Sequence, residues 1–242
     1  MNLALDVRHL SYRYPDGTAA LRNVSLQARE GERVAVIGPN GAGKSTLFFH
    51  LNGTFRGEGE IVVNELVLTD KTLHDIRRAV GLVFQDPNDQ IFMPTVFEDV
   101  AFGPMNLGCS ELEVRDRVVR ALAQVEMQGS EALVPHHLSL GQRKKIALAG
   151  VLALDPSILA FDEPSSGLDP HSRRALIEFL KSMRQTILVA THDLDLVLDL
   201  CQRAVIIDKG EIVYEGHVPQ IFEQEALLKS HGLEKPLRMQ GL

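Results

Sequence analysis

A chain of 242 residues, 45% hydrophobic and 24% charged, is long enough to bury a full α/β core with a smaller lobe attached. Its net charge of −7 argues against a nucleic-acid surface, which normally needs a basic face, so no nucleic-acid partner is expected. No stretch approaches the ~18 apolar residues of a membrane span, the longest run being Ile146–Leu154, and Met1–Asp6 shows no basic segment leading into an apolar one. The expectation is a cytosolic protein that meets a membrane only through partners. Cys109 and Cys201 lack metal-ligand spacing and read as isolated buried thiols of a reducing compartment.

In chain order, Leu3–Leu10 and Leu21–Gln27 alternate apolar and polar residues, as half-buried antiparallel strands do, around a turn at Pro15-Asp16-Gly17. Arg33–Ile37 suits a buried parallel strand and runs into Gly38-Pro39-Asn40-Gly41-Ala42-Gly43-Lys44-Ser45, a complete G-x-x-x-x-G-K-[ST] loop; Thr46–Leu51 can then open a helix. That strand–loop–helix context is what a phosphate-binding loop requires. Glycines let backbone N–H groups curl around phosphate oxygens without Cβ clashes. Lys44 reaches for the β- and γ-phosphates, and Ser45 offers a hydroxyl to Mg²⁺. Ile61–Leu68 reads as a strand pair turning near Asn64-Glu65, and Val80–Phe84 as a short strand ending at Gln85. From Gln85 to about Ala153 helical spacing takes over, with Val114, Val118, Leu122 and Val125 forming one apolar stripe among charged residues.

Ile158–Phe161 is again a buried strand, followed by Asp162-Glu163. Asp169-Pro170 reads as N-cap and first residue of a helix running to about Arg184, with Leu176, Phe179, Leu180 and Met183 inward. Thr186–Ala190 is a third buried strand, ending at Thr191-His192-Asp193. A hairpin, Ala204–Asp208 to Glu211–Glu215 about Lys209-Gly210, and a short helix near Pro219–Ser230 close the chain. The expected organisation is one nucleotide-binding domain over residues 1–242, interrupted by a helical lobe over 86–153.

Three strands thus end in chemically capable residues, and the carboxyl ends of parallel strands are where ligands bind. Phosphoryl transfer needs metal placement and charge neutralisation more than covalent chemistry. Asp162 suits holding Mg²⁺ through water, and Glu163 could polarise the attacking water. His192 could sense the γ-phosphate; a hydrogen-bonded structural role is the alternative.

The remaining motifs point to a family. Leu138-Ser139-Leu140-Gly141-Gln142 resembles the signature of ATP-binding cassette ATPases, Ser166-Gly167-Leu168-Asp169 resembles their D-loop, and Gln85 stands where their Q-loop glutamine belongs. Tyr14 matches the aromatic residue that stacks on adenine in this family, with Tyr12 the fallback. Seven motifs stand in the family's order between Leu3 and Ser230. The resemblance implies an α/β P-loop NTPase fold: a mixed-sheet nucleotide-binding core, an antiparallel β subdomain and a helical subdomain. It implies ATP with Mg²⁺, the metal held by Ser45, Gln85 and Asp162, and nucleotide contacts from Tyr14, Gly38–Ser45 and Thr46. It also implies a homodimer in which Ser139, Leu140, Gly141, Gln142 and Asp169 face the second copy's nucleotide. Leu140 departs from the glycine usual at that place, which puts the fine geometry of the signature in doubt.

A narrower resemblance follows the Q-loop glutamine. Phe84-Gln85-Asp86-Pro87-Asn88-Asp89-Gln90 and Phe102-Gly103-Pro104-Met105-Asn106-Leu107-Gly108 look like segments of energy-coupling-factor transporter ATPases. Those importers pair two ATPases with a transmembrane coupling subunit and a substrate-capturing membrane protein. The short tail Gly232–Leu242 makes the chain most similar to ATPases of dedicated cobalt or nickel uptake, with biotin uptake the close competitor. A soluble cassette ATPase of DNA repair or translation would show tandem cassettes, a coiled-coil insertion or basic extensions, and a GTPase would show N/T-K-x-D; neither pattern occurs. Docking of the coupling subunit is expected at a groove near Pro87, Met93 and Met105.

Overall fold

The computed structural model describes residues 2–240; Met1, Gly241 and Leu242, which belong to the expected single-domain span and to the tail, lie outside the described residues. Two sheets form the frame. Strands β1 (Leu3–Arg13), β2 (Ala19–Arg29), β4 (Glu58–Val63) and β5 (Leu66–Val67) make an antiparallel sheet in the order β2-β1-β4-β5. The other sheet contains β3 (Arg33–Ile37), β6 (Val80–Val83), β7 (Ile158–Asp162), β8 (Thr186–Ala190), β9 (Arg203–Asp208) and β10 (Glu211–His217). Its order is β10-β9-β3-β8-β7-β6, parallel except for β10.

Burial explains why β3, β6, β7 and β8 read as near-continuous apolar runs. Both faces of this sheet are covered. Val34 and Val36 join the core facing the antiparallel sheet, together with Leu47, Phe48 and Leu51 of α1 (Lys44–Leu51). Ala35 and Ile37 point to the opposite face, covered by the other helices. Among these, α3 (Val96–Asn106), α4 (Glu111–Gln124) and α5 (Leu140–Leu152) form the helical lobe. Their buried residues belong to one cluster with those of α6 (Pro170–Ser182) and α7 (Leu194–Leu200). The stripe Val114, Val118 and Leu122 is buried as expected, with Val125 as the C-cap of α4.

Several boundaries differ from the sequence reading. β1 and β2 run on to Arg13 and Arg29, and left-handed His9 (φ 53°) and Asn23 (φ 53°) sit inside them at register shifts that break the alternation. Helix α6 stops at Ser182, since Met183 is extended, and Ile177, not among the four residues expected inward, is its deeply buried partner to Leu180. The single closing helix is two, α8 (Val218–Glu223) and α9 (Glu225–Ser230). A further helix, α2 (Leu73–Ala79), buries only Ile76 and so leaves no periodic trace in the sequence. Of the two thiols, Cys201 is buried and Cys109 is half-exposed.

Candidate functional site

Strand order brings the chemistry together. β6, β7, β8 and β3 are consecutive in the sheet, so the segments following them, at Gln85, Glu163, His192 and Gly38, emerge side by side at one carboxyl edge. Register holds them level. Ala190 pairs with both Val36 and Asp162, the Glu163 N–H donates to the Ala190 carbonyl at 2.8 Å, and the Thr191 N–H donates to Val36 at 3.2 Å.

The loop Gly38–Ser45 leaves the buried end of β3 and opens α1 at Lys44, with Gly43 as N-cap (φ 108°). A Cβ on Gly38 would collide with the Ile207 carbonyl oxygen, so the tight exit from the sheet depends on glycine there. Asn40 and Gly41 are exposed at the tip, Pro39 is half-buried, and Ala42 and Thr46 are buried beneath it. Lys44 Nζ donates to the carbonyls of Gly38 (2.8 Å) and Pro39 (3.1 Å), placing a buried ammonium inside the loop. Burial pushes its pKa down, while Glu163 and Asp162 pull it back up. The N-terminus of α1, the loop amides and Lys44 together form an anion site. The Tyr14 hydroxyl bonds the Thr46 hydroxyl at 2.8 Å, which fixes its ring beside the loop. Tyr12 is instead stacked on Phe55 at 5.3 Å and packed against His50, so of the two tyrosines Tyr14 is the one bonded to the loop helix.

Opposite Lys44 lie two buried carboxylates. Burial pushes the Asp162 carboxyl up; the Ser45 hydroxyl opposes this, Glu163 adds to it and Lys44 offsets it. Asp162 Oδ1 is buried without a hydrogen-bond partner. Such an orphaned acceptor next to a hydroxyl fits a cation. Among the described residues no group of three or more His, Cys, Asp or Glu could hold a metal ion. Glu163 is 6% exposed and sits in the left-handed region (φ 46°). Its Oε2 accepts from the Thr191 hydroxyl at 3.0 Å and lies 2.9 Å from His192 Nδ1. The His192 ring is two-thirds exposed, so it projects from the carboxylate toward open space.

Gln85 is exposed, and with Ser45, Asp162 and Leu140 it lines a cleft of about 520 Å³. Ser139, Gly141 and Gln142 line an adjoining cavity of about 450 Å³, which shares Phe84, Pro87 and Lys144 with the first but not Ser45 or Asp162. Ser139 and Gln142 form a reciprocal capping box at the start of α5, and Asp169 caps α6 by accepting from the His171 and Ser172 amides. Thus one chain brings Gly38–Thr46, Gln85, Asp162, Glu163 and His192 to one edge, with Leu140 bordering the cleft and Ser139 and Gln142 exposed at the helix start beside it.

The family model described as ABC transporter matches residues 21–166. The chain is an ATP-binding subunit of the ABC transporter family. It is 52% identical over 238 residues to a Gloeobacter violaceus chain bearing an ABC transporter ATP-binding name, covering 97% of this chain and 98% of that one. It is 45% identical to the energy-coupling factor transporter ATP-binding protein of Methanothermobacter thermautotrophicus, covering 96% of this chain and 76% of the relative. Among solved structures it is similar to CbiO1 of Clostridium perfringens, part of the transporter complex CbiONQ, with TM-score 0.82 and 35% identity over 95% and 94% of the two chains. A dimeric cassette in a post-hydrolysis state bound to ADP and phosphate matches at TM-score 0.79 and 30% identity, over 88% and 98%. The subunit is therefore an ATPase of energy-coupling-factor type, with the α/β P-loop fold its motifs implied.

Some residues of the candidate site carry no motif. Thr191 buttresses Glu163, and Asp193 caps α7 while its carboxylate takes a two-pronged bond from Arg173 at 2.6 and 2.7 Å. Burial alone would raise the Asp193 carboxyl; the Arg173 fork and the Leu196 amide more than reverse it. A buried threonine between a strand and His192 was the one available signal. The Arg173–Asp193 pairing joins residues 20 apart and left none.

Proposed function

We propose that this ATPase powers uptake of cobalt or nickel ions as a homodimer with two ATP molecules sandwiched between the copies, docked on the cytoplasmic face of the cell membrane. Each site takes Gly38–Thr46 from one copy and Ser139, Leu140, Gly141, Gln142 and Asp169 from the other. The observation that carries this reading is the placement of polar groups within one chain: Ser45, Gln85 and Asp162 line the cleft at the sheet edge, while Ser139 and Gln142 stand exposed at the start of α5 and do not line it. Likeness to the dimeric cassette supports it.

The roles follow from placement. Lys44 and the loop amides hold the β- and γ-phosphates, and Tyr14 offers its ring to adenine. Ser45, Gln85 and Asp162 would hold Mg²⁺, the last through water, and the ion would supply charge neutralisation at the phosphates. Glu163, fixed by Thr191 and His192, orients the attacking water, and His192 reaches the γ-phosphate from the exposed side. Residues 86–153 form the lobe that carries nucleotide closure to a transmembrane coupling subunit, with a substrate-capturing membrane protein completing the importer.

Cobalt or nickel as cargo rests on the sequence resemblance to ATPases of dedicated metal uptake, with biotin or another vitamin the second reading; the likeness to CbiO1 of a CbiONQ complex and to an energy-coupling-factor ATP-binding protein supports the importer type. The test is uptake by cells lacking their own transporter, supplied with this chain and its membrane partners. Labelled cobalt should accumulate, and Glu163→Gln should abolish accumulation with ATP turnover down about 100-fold or more. Accumulation of biotin instead would replace the metal reading.

A further inference from the structure

The first turns of α5 touch the loop that follows Glu163. Leu140 and Lys144 are four residues apart and share one face of the helix. Lys144 Nζ donates to the Pro164 carbonyl at 3.0 Å and to the Ser166 carbonyl at 2.7 Å. Leu140 Cδ2 lies against Gly167, only 2.9 Å from where a Cβ on that glycine would stand. The same loop is held from its other side, where the Ser165 hydroxyl donates to Asp193 at 3.0 Å, and internally, where the Ser166 N–H donates to the Glu163 carbonyl at 3.1 Å. The loop is therefore pinned between the sheet edge and α5, the helix that Ser139 caps. A solvated surface lysine does not spend its ammonium on two backbone carbonyls. Burial lowers the Lys144 pKa, with Asp86 and Glu163 pulling the other way, so its charge is felt by both the Q-loop and the carboxylate cluster.

We propose that Lys144 and Leu140 are positioning residues that tie the signature helix to the loop from Glu163 to Asp169. Movement of the signature at one ATP site is thereby passed, within a single chain, to the Glu163 carboxylate at the other. This rests on the homodimer reading above, in which Ser139 serves the partner's nucleotide while Glu163 serves its own. Charge-assisted bonds to carbonyls are about twice as strong as neutral ones, so the lysine is the firmer half of the grip. The bulk of Leu140, where the family usually has glycine, supplies the apolar half.

The test uses the full chain with Lys144→Met, which keeps the stem and removes the donors, Lys144→Arg, which restores a donor, and Leu140→Gly. In the nucleotide-free chain, amide hydrogen exchange of residues 164–169 should rise about tenfold in Lys144→Met, with residues 38–45 unchanged. In steady-state hydrolysis kcat should fall about tenfold and the Hill coefficient should drop toward one, nucleotide Kd staying within about twofold; Lys144→Arg should recover most of the loss. Unchanged exchange at 164–169 overturns the grip whether or not the chain dimerises. Raised exchange with wild-type kcat and Hill coefficient overturns the coupling. If ATP fails to dimerise the wild-type chain while exchange still rises, it is the homodimer reading, and the coupling with it, that falls. Should Lys144→Met fail to fold, Leu140→Gly is read by exchange at the same loop alone, because Leu140 also belongs to the signature that faces the partner's nucleotide.

Discussion

Glu163 shows how a single residue combines strain and support. A non-glycine residue in the left-handed region costs about 1–3 kcal/mol, and here it turns the carboxylate toward Thr191 and His192. His50, on the phosphate-loop helix, shows the opposite economy. It is fully buried, its Nδ1 faces the Thr46 carbonyl at 2.7 Å, and its Nε2 has no partner. Burial lowers its pKa from 6.5, with the Thr46 carbonyl opposing, so the folded chain takes up this proton less readily than the unfolded one. Its contribution to stability is fully present above the unfolded pKa and is lost as pH falls below it toward the lowered folded value. The melting temperature should therefore drop between about pH 7.5 and about pH 5.5, and His50→Gln should flatten that part of the profile. Equal slopes for the two proteins would contradict the burial argument.

At the scale of elements, the helical lobe is organised by capping and by one exposed face. Thr95 with Glu98, Ser110 with Glu113 and Ser139 with Gln142 are reciprocal capping boxes at the starts of α3, α4 and α5. Phe92, Phe102 and Met105 are 60%, 43% and 63% exposed, and the two phenylalanine rings meet edge to face at 4.8 Å. Met105 is thus a surface residue, Met93 is half-buried and Pro87 is buried, so the expected groove is an apolar patch on α3 just beyond the Q-loop. In the proposed importer this patch receives the coupling subunit. Met105→Glu should cut uptake about tenfold or more while the purified subunit binds nucleotide normally, since a charge at an apolar docking centre costs more than 1 kcal/mol. Normal uptake by this variant and by Asn88→Glu would place docking elsewhere. The buried strands, α6 and the phosphate loop were legible because each is a continuous apolar run or a fixed spacing. The α3–α5 boundaries were not read out, although their three capping boxes stand in the sequence. Helix α2 was illegible because one buried side chain makes no period.

Across the whole molecule, function follows from strand order. Four adjacent strands deliver the phosphate loop, the His192 turn, the Asp162-Glu163 pair and Gln85 to one edge, although they are drawn from residues far apart in the chain. The motifs could be read one by one, but their adjacency could not: nothing local sets β8 between β3 and β7. The register of Ala190 against both Val36 and Asp162 shows that order. Ser139 and Gln142 of the signature do not line the cleft at that edge, although Leu140 borders it, which is why a second copy is central to the account. Nucleotide that contacts both copies stabilises the dimer by mass action. The most direct test is sedimentation velocity of the Glu163→Gln chain, in which bound ATP survives. With ATP and Mg²⁺ it should sediment as a dimer, and without nucleotide, or with Ser139→Arg added, as a monomer. A nucleotide-saturated chain that stays monomeric across all protein concentrations would contradict the sandwich of two copies.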